Sequence, residues 1–142
     1  MSRILIVEDD QLQGQLLLEI LVSFGNTPTL VETISDALRL FNEQKFDIVV
    51  TDYHLGGADA SLHANGADLI AYIRSEDKSA CDHCVNSSAI PVIAISGYGC
   101  REYDDSLHLD RCREMGADVL LSKPVPVHDI KAAIASVQDR IV

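Results

Sequence analysis

The chain is 142 residues long, with 22 Asp and Glu against 11 Lys and Arg, and its formal net charge is −11 with the five histidines neutral. At 47% hydrophobic and 23% charged residues and a mean hydropathy of +0.12, it can bury a core, which excludes intrinsic disorder and sets the expectation of one domain over residues 1–142. The acidic balance excludes direct binding to nucleic acid or to an anionic membrane surface, both of which need a cationic face, and favours a divalent cation as partner.

The N-terminal Met1-Ser2-Arg3 leads straight into Ile4 to Val7, apolar throughout, as a strand covered on both faces would be. Leu12, Leu16, Leu17, Ile20, Leu21 and Phe24 follow with a helical period, and Gly25 stands at a C′ position. A weaker strand fits Thr29 to Val31. Ala37, Leu38, Leu40 and Phe41 mark a second helix, with Ser35 and Asp36 as capping candidates. After the apolar run Ile48 to Val50, a third helix is expected around Leu69, Ile70, Tyr72 and Ile73. Val92 to Ile95 is the next strand, Leu107 to Met115 a fourth helix ending at Gly116, and Val119 to Leu121 the last strand. The final helix carries Val127, Ile130, Ile134, Val137 and Ile141, spaced alternately by three and four. No apolar run approaches the roughly 20 residues of a membrane span and no secretory leader is visible, so the chain is expected in the cytoplasm.

Five strands alternating with five helices predict right-handed βαβ units and an α/β, doubly wound parallel sheet between helices. Ligands of such sheets lie beyond the carboxyl ends of the strands. Those positions hold Glu8, Asp9 and Asp10 after the first strand, Asp52 after the third, Ser96 after the fourth, and Lys123 with Pro124 after the fifth. Carboxylates gathered on one edge repel one another unless a cation holds them, and an all-oxygen set suits Mg²⁺ or Mn²⁺. A hydroxyl and an ammonium add donors for an anion, and together these groups suit the handling of a phosphoryl group.

Four segments then carry a resemblance: Ile4-Leu5-Ile6-Val7-Glu8-Asp9-Asp10, Ile48-Val49-Val50-Thr51-Asp52, Val92-Ile93-Ala94-Ile95-Ser96-Gly97, and the run from Gly116 to Lys123-Pro124. In this order, each ending a predicted strand, they resemble the receiver domain of two-component response regulators over essentially the whole chain. The resemblance implies a flavodoxin-like receiver fold with Asp52 as the phosphoacceptor, served by a sensor histidine kinase or a phosphotransfer protein. It implies that Asp9 ligates Mg²⁺ directly and Glu8 through water, with Asp52 and the backbone carbonyl of His54 completing the protein ligands. Ser96 and Lys123 would each bind a phosphoryl oxygen, and the bond before Pro124 would be cis. Such a domain is not an enzyme in the ordinary sense. It contributes groups to its own phosphorylation and dephosphorylation, and switches binding to a downstream effector protein, a fused output domain or a second copy of the chain.

The sequence also departs from that family. Leu120 stands where an aromatic residue commonly couples to the hydroxyl residue, and Gly97 replaces the usual Ala, so the switch is expected to rely on the loop after strand four and on helix four. His54 and Tyr98 occupy positions that modulate phosphoryl lifetime; both are bulky, and either shield the acyl phosphate from water or merely cover the rim. The connections from Asp52 to Gly66, Ser75 to Ala89 and Ser96 to Gly116 are longer than usual. The second contains Cys81 and Cys84, the third Cys100, His108 and Cys112, and a disulfide framework is a poor default in a reducing compartment. Cys100 and Cys112 are 12 positions apart, roughly 18 Å along a continuous helix, which excludes a single four-cysteine site. Cys112 and His108 share a helix face, so a Zn²⁺ site from Cys81, Cys84, His108 and Cys112 is one reading; thiols in a loop and a core, or a Cys81 to Cys84 disulfide, are the others. His63 and His128 read as surface residues.

The final helix reaches the end of the chain without a linker or DNA-binding segment, which reads as either a stand-alone regulator or a receiver cut from a longer protein. Two other functions compete. One is a phosphorylation-independent interaction module, with zinc in a structural role. The other is a phosphohydrolase with an aspartate nucleophile, which would want a second acid where His54 stands.

Overall fold

The computed structural model describes residues 2–53, 65–75, 86–96 and 112–139. Along them run β1 (Arg3–Val7), α1 (Gln11–Ser23), β2 (Thr27–Val31), α2 (Ile34–Glu43), β3 (Ile48–Asp52), α3 (Gly66–Arg74) and β4 (Val92–Ser96). Residues 112–115 are helical and form the described part of α4; β5 (Val119–Ser122) and α5 (Val127–Gln138) complete the order. His54, His63, Cys81, Cys84, Gly97, Tyr98, Cys100, His108 and Ile141 lie outside the described residues.

All strand pairs are parallel, in the order β2-β1-β3-β4-β5. Leu5, Val7, Val49, Val92 and Ala94 pack into one layer with α2 and α3, while Ile4, Ile6, Ile48, Val50, Ile93 and Ile95 pack into the opposite layer with α1 and α5. Both faces are covered, which is why each of these strands reads as a continuous apolar run. The chain enters at β1, turns outward to β2 and then crosses back to β3, so the strand order reverses between β1 and β3. A crevice at the carboxyl ends of these two strands follows from that reversal.

Helix α1 shows where apolar composition misleads. Gly14, Leu17 and Leu21 face the sheet, while Leu12 is 82% and Leu16 58% exposed. Six apolar residues spread around the helix cannot all share one inward stripe. Val127, at the first turn of α5, is likewise half-exposed, and Ile130, Ile134 and Val137 carry the burial. Gly25 lies at φ +84 just past α1, a conformation that favours glycine.

The cap of α2 is Thr33, not Ser35 or Asp36: its Oγ1 accepts the Asp36 N–H at 3.1 Å, and Ser35 and Asp36 are already inside the helix. Strand β2 starts at Thr27, two residues before the expected Thr29, and so includes Pro28. This is tolerated because β2 is an edge strand. The Thr27 N–H donates to the Ser2 carbonyl at 2.8 Å, so in the alternating ladder the position of Pro28 faces away from β1.

Two polar side chains fasten the end of the sheet opposite the crevice. The Arg74 guanidinium donates to the carbonyls of Gly116 (3.0 Å), Ser88 (2.8 Å) and Ile90 (2.6 Å) and to Asp118 Oδ2 (2.8 Å). The buried Asn86 amide donates to the carbonyls of Phe41 and Gln44 and accepts the Phe46 N–H. Among the described residues, no helix is long and apolar enough to cross a membrane.

Candidate functional site

Because β1 and β3 are neighbours with Val7 opposite Thr51, Glu8 and Asp9 emerge from β1 beside Asp52, the last residue of β3. Glu8, Asp9 and Asp52 each offer a carboxylate oxygen, and the three atoms lie within 4.8 Å of one another. Glu8 and Asp52 are both only 4% exposed. Asp10 does not join them. It caps α1, its Oδ1 accepting the Gln13 N–H at 3.0 Å.

Lys123 reaches the same point from the end of β5. Its Nζ lies 3.0 Å from Asp52 Oδ2, 3.1 Å from Glu8 Oε2 and 2.6 Å from Gln13 Oε1. Its backbone N–H donates to the Ser96 carbonyl at 2.7 Å, and the Lys123 to Pro124 bond is cis. Ser96, at the end of β4, is fully buried, and its Oγ has no hydrogen-bond partner among the described residues.

Burial, and then the neighbouring Asp52 charge, push the Glu8 carboxyl up from the ordinary 4.5 to about 7, against the pull of Lys123. For Lys123, burial works against the charged form, but the Asp52 and Glu8 carboxylates outweigh it and raise its pKa, so the ammonium persists. The donor set fits a hard divalent cation: Glu8, Asp9 and Asp52 each offer a carboxylate oxygen, and such an ion would relieve the repulsion between the Glu8 and Asp52 carboxylates. The Ser96 hydroxyl and Lys123 ammonium fit an anion placed on Asp52.

A buried hydroxyl with no hydrogen-bond partner among the described residues adds no bonding stability to the fold. Ser96→Ala is therefore expected to leave stability within about 1 kcal/mol of the parent, measured by urea denaturation, because the penalty of burying an unpaired polar group disappears with it. A loss above about 3 kcal/mol would show that the hydroxyl is structurally bonded.

Leu120, on β5, is partly buried and packs against the layer of α2 and α3. Cys112 is completely buried in that same layer, the placement of an apolar core residue; its expected zinc partners lie outside the described residues. Two site residues carry no sequence signal for their roles. Gln13 stands three residues after Asp10, which reads as helix capping rather than as a lysine partner. Gly66 opens α3 directly against the acceptor strand, its N–H donating to the Tyr53 carbonyl at 2.8 Å.

The family model described as "Response regulator receiver domain" matches residues 4–135. The regulatory protein VirG of Agrobacterium tumefaciens is 26% identical over 94% of the chain, and the phosphate regulon transcriptional regulatory protein PhoB of Escherichia coli is 28% identical over 98%. The chain spans 42% of the length of VirG and 52% of that of PhoB. Among solved structures, a response regulator receiver domain protein from Clostridium thermocellum superposes with a TM-score of 0.75 at 25% identity, covering 99% of this chain and 96% of its own. The Francisella response regulator 1452 receiver domain shares the fold at a TM-score of 0.75 and 20% identity, with both chains fully covered. With a matching model across nearly its whole length and an acidic pocket that fits a phosphoacceptor site, the chain belongs to the response regulator receiver domain family of two-component signalling.

Proposed function

We propose that residues 1–142 act as one receiver unit in which Asp52 accepts a phosphoryl group from a phosphohistidine on a sensor kinase or phosphotransfer protein. An Asp52 carboxylate oxygen forms the new O–P bond as the N–P bond to histidine breaks. The observation that carries this reading is the setting of Asp52: buried, 3.0 Å from the Lys123 ammonium, and within 4.8 Å of the Glu8 and Asp9 oxygens. Mg²⁺, when bound, would neutralise charge that accumulates on the transferring group. Asp9, Asp52 and the His54 backbone carbonyl would hold it directly, and Glu8 through water.

Lys123 supports the acceptor before transfer and pairs with a phosphoryl oxygen afterwards. The Ser96 hydroxyl then gains the acceptor that it lacks among the described residues. These residues also serve loss of the group to water. Phosphorylation alters the chain's affinity for an effector protein, a fused output domain or a second copy of itself.

The test is incubation with acetyl phosphate and Mg²⁺, read by intact mass. One phosphoryl group is expected on the parent, and none without Mg²⁺ or on Asp52→Ala. No addition to the parent, or equal addition to the variant, would overturn the assignment.

A further inference from the structure

Among the described residues, a short hydrogen bond to the site lysine comes from outside the carboxylate cluster. The acceptors of the Lys123 ammonium include Gln13 Oε1 at 2.6 Å, Asp52 Oδ2 at 3.0 Å and Glu8 Oε2 at 3.1 Å. Two are carboxyl oxygens and belong to the acidic pair and the acceptor. The third is a neutral carboxamide on the first turn of α1.

Gln13 is placed there by the way α1 begins. In a helix capped by Asp, a Gln at the third helical position ordinarily turns back to the cap's backbone N–H. Here that N–H donates to Glu8 Oε1 at 3.2 Å. The Gln13 side chain is thereby released toward Lys123, while its backbone N–H stays fixed by Asp10 Oδ1 at 3.0 Å. Beside the ammonium lies a cavity of about 450 Å³, whose lining includes Leu16, Leu17, Ile20 and Ile130 as well as Gln13 and Lys123.

We propose that Gln13 is a positioning residue for phosphoryl transfer onto Asp52, its side-chain oxygen fixing the Lys123 ammonium between Asp52 and Glu8. Being uncharged, the amide holds the ammonium without competing strongly for it against an arriving phosphoryl group. Glu8 and Asp52 change their demands on the lysine when a phosphoryl group arrives. Gln13 does not, and remains the point about which the ammonium turns. The proposal rests on Asp52 being the acceptor.

Two measurements on the full chain test it. With acetyl phosphate and saturating Mg²⁺, an Asp52 oxygen forms its O–P bond as acetate leaves, and intact mass follows the rate. Gln13→Met, close in volume but without the amide acceptor, is expected to slow the rate about tenfold, as loss of alignment at a reacting group does. In a Lys123→Ala background the same substitution should change the rate less than about twofold, because Gln13 acts through that lysine. A parent-like rate for Gln13→Met, or the same loss in both backgrounds, overturns the proposal.

The second measurement is independent of the reaction. Lys123 labelling by trinitrobenzenesulfonate, mapped by peptide mass, is expected to be about tenfold faster in Gln13→Met, while Gln13→Glu, which retains an acceptor of equal reach, stays near the parent. Parent-like labelling in Gln13→Met overturns the tether. If the parent takes up no phosphoryl group at all, the reading of Asp52 fails, and labelling alone decides whether Gln13 holds the lysine.

Discussion

Gly66→Ala is expected to destabilise the protein by about 3 kcal/mol and to lower its melting midpoint by roughly 10 °C. A Cβ at this position would collide with the Asp52 carbonyl oxygen and lie 2.9 Å from Tyr53 Cα and 3.0 Å from the Asp52 carbonyl carbon. These are backbone atoms at and just past the end of a paired central strand, so no rotamer change relieves the contact. Either the start of α3 or the end of β3 must move. The Gly66 N–H to Tyr53 carbonyl bond of 2.8 Å ties the two together, so displacement is transmitted to the acceptor itself. Phosphorylation by acetyl phosphate is therefore expected to fall well below parent even at temperatures where the variant remains folded. Gly25→Ala is the control: nothing lies within 4 Å of its added Cβ, and the φ of +84 sets a cost of only about 1 kcal/mol. Equal melting of the two variants in circular dichroism scans would show that the contact at Gly66 is absorbed without cost.

The second large effect is a dependence of stability on pH that Mg²⁺ should reverse. Burial and the Asp52 charge raise the Glu8 carboxyl in the folded protein from 4.5 to about 7. Between those values the native state binds more protons than the unfolded chain, so stability falls as pH rises. The contribution is fully present below about pH 4.5 and is lost as pH passes about 7. It amounts to about 3 kcal/mol at most for a shift of this size. Lys123 adds nothing to the slope here, because its pKa is raised above its ordinary value and it stays charged throughout. Mg²⁺ favours the ionised carboxylate, so its affinity should weaken below pH 7 and its stabilising effect should be greatest above it. Urea denaturation from pH 5 to pH 8, with and without Mg²⁺, checks both trends. Glu8→Gln should abolish the slope, and a parent stability that is flat or rising over that range would contradict the assignment.

Glu8, Asp9, Asp52, Ser96 and Lys123 are legible as a set for a physical reason. A parallel strand buried on both faces is an apolar run, and the polar residue that ends it must stand at the sheet's edge. What is not legible depends on which way a side chain turns or how a helix is rotated. The leucines at 12 and 16 share the composition of Leu17 and Leu21, and only packing against the sheet separates outer from inner faces. Thr33 and Ser35 are comparable caps by type, and the choice falls to the residue that the strand exit leaves extended. Gln13, Arg74 and Asn86 are ordinary surface residue types whose partners are distant in sequence: Lys123 for the first, the carbonyls near β4 and β5 for the second, and the end of α2 for the third. Gly66 is visible as a glycine, but its closeness to Asp52 belongs to the tertiary fold.

Pro28 has a bearing on how this protein behaves when crowded. An open sheet edge is a template on which a strand from another molecule can add, and many proteins guard such edges with charged side chains. Strand β2 has none, reading Thr-Pro-Thr-Leu-Val. Its ladder points the amides of Thr27, Thr29 and Val31 at β1, which leaves positions 28 and 30 facing outward. Pro28 has no N–H to offer, so along this strand the Leu30 amide is the one donor available to an incoming chain. Beside the outward carbonyls of Pro28 and Leu30, an added ladder would therefore lack the bond that residue 28 should donate, which weakens it. This edge is thus protected from cross-β polymerisation by a missing hydrogen atom rather than by charge, and the protection persists at ionic strengths that would screen a charged edge.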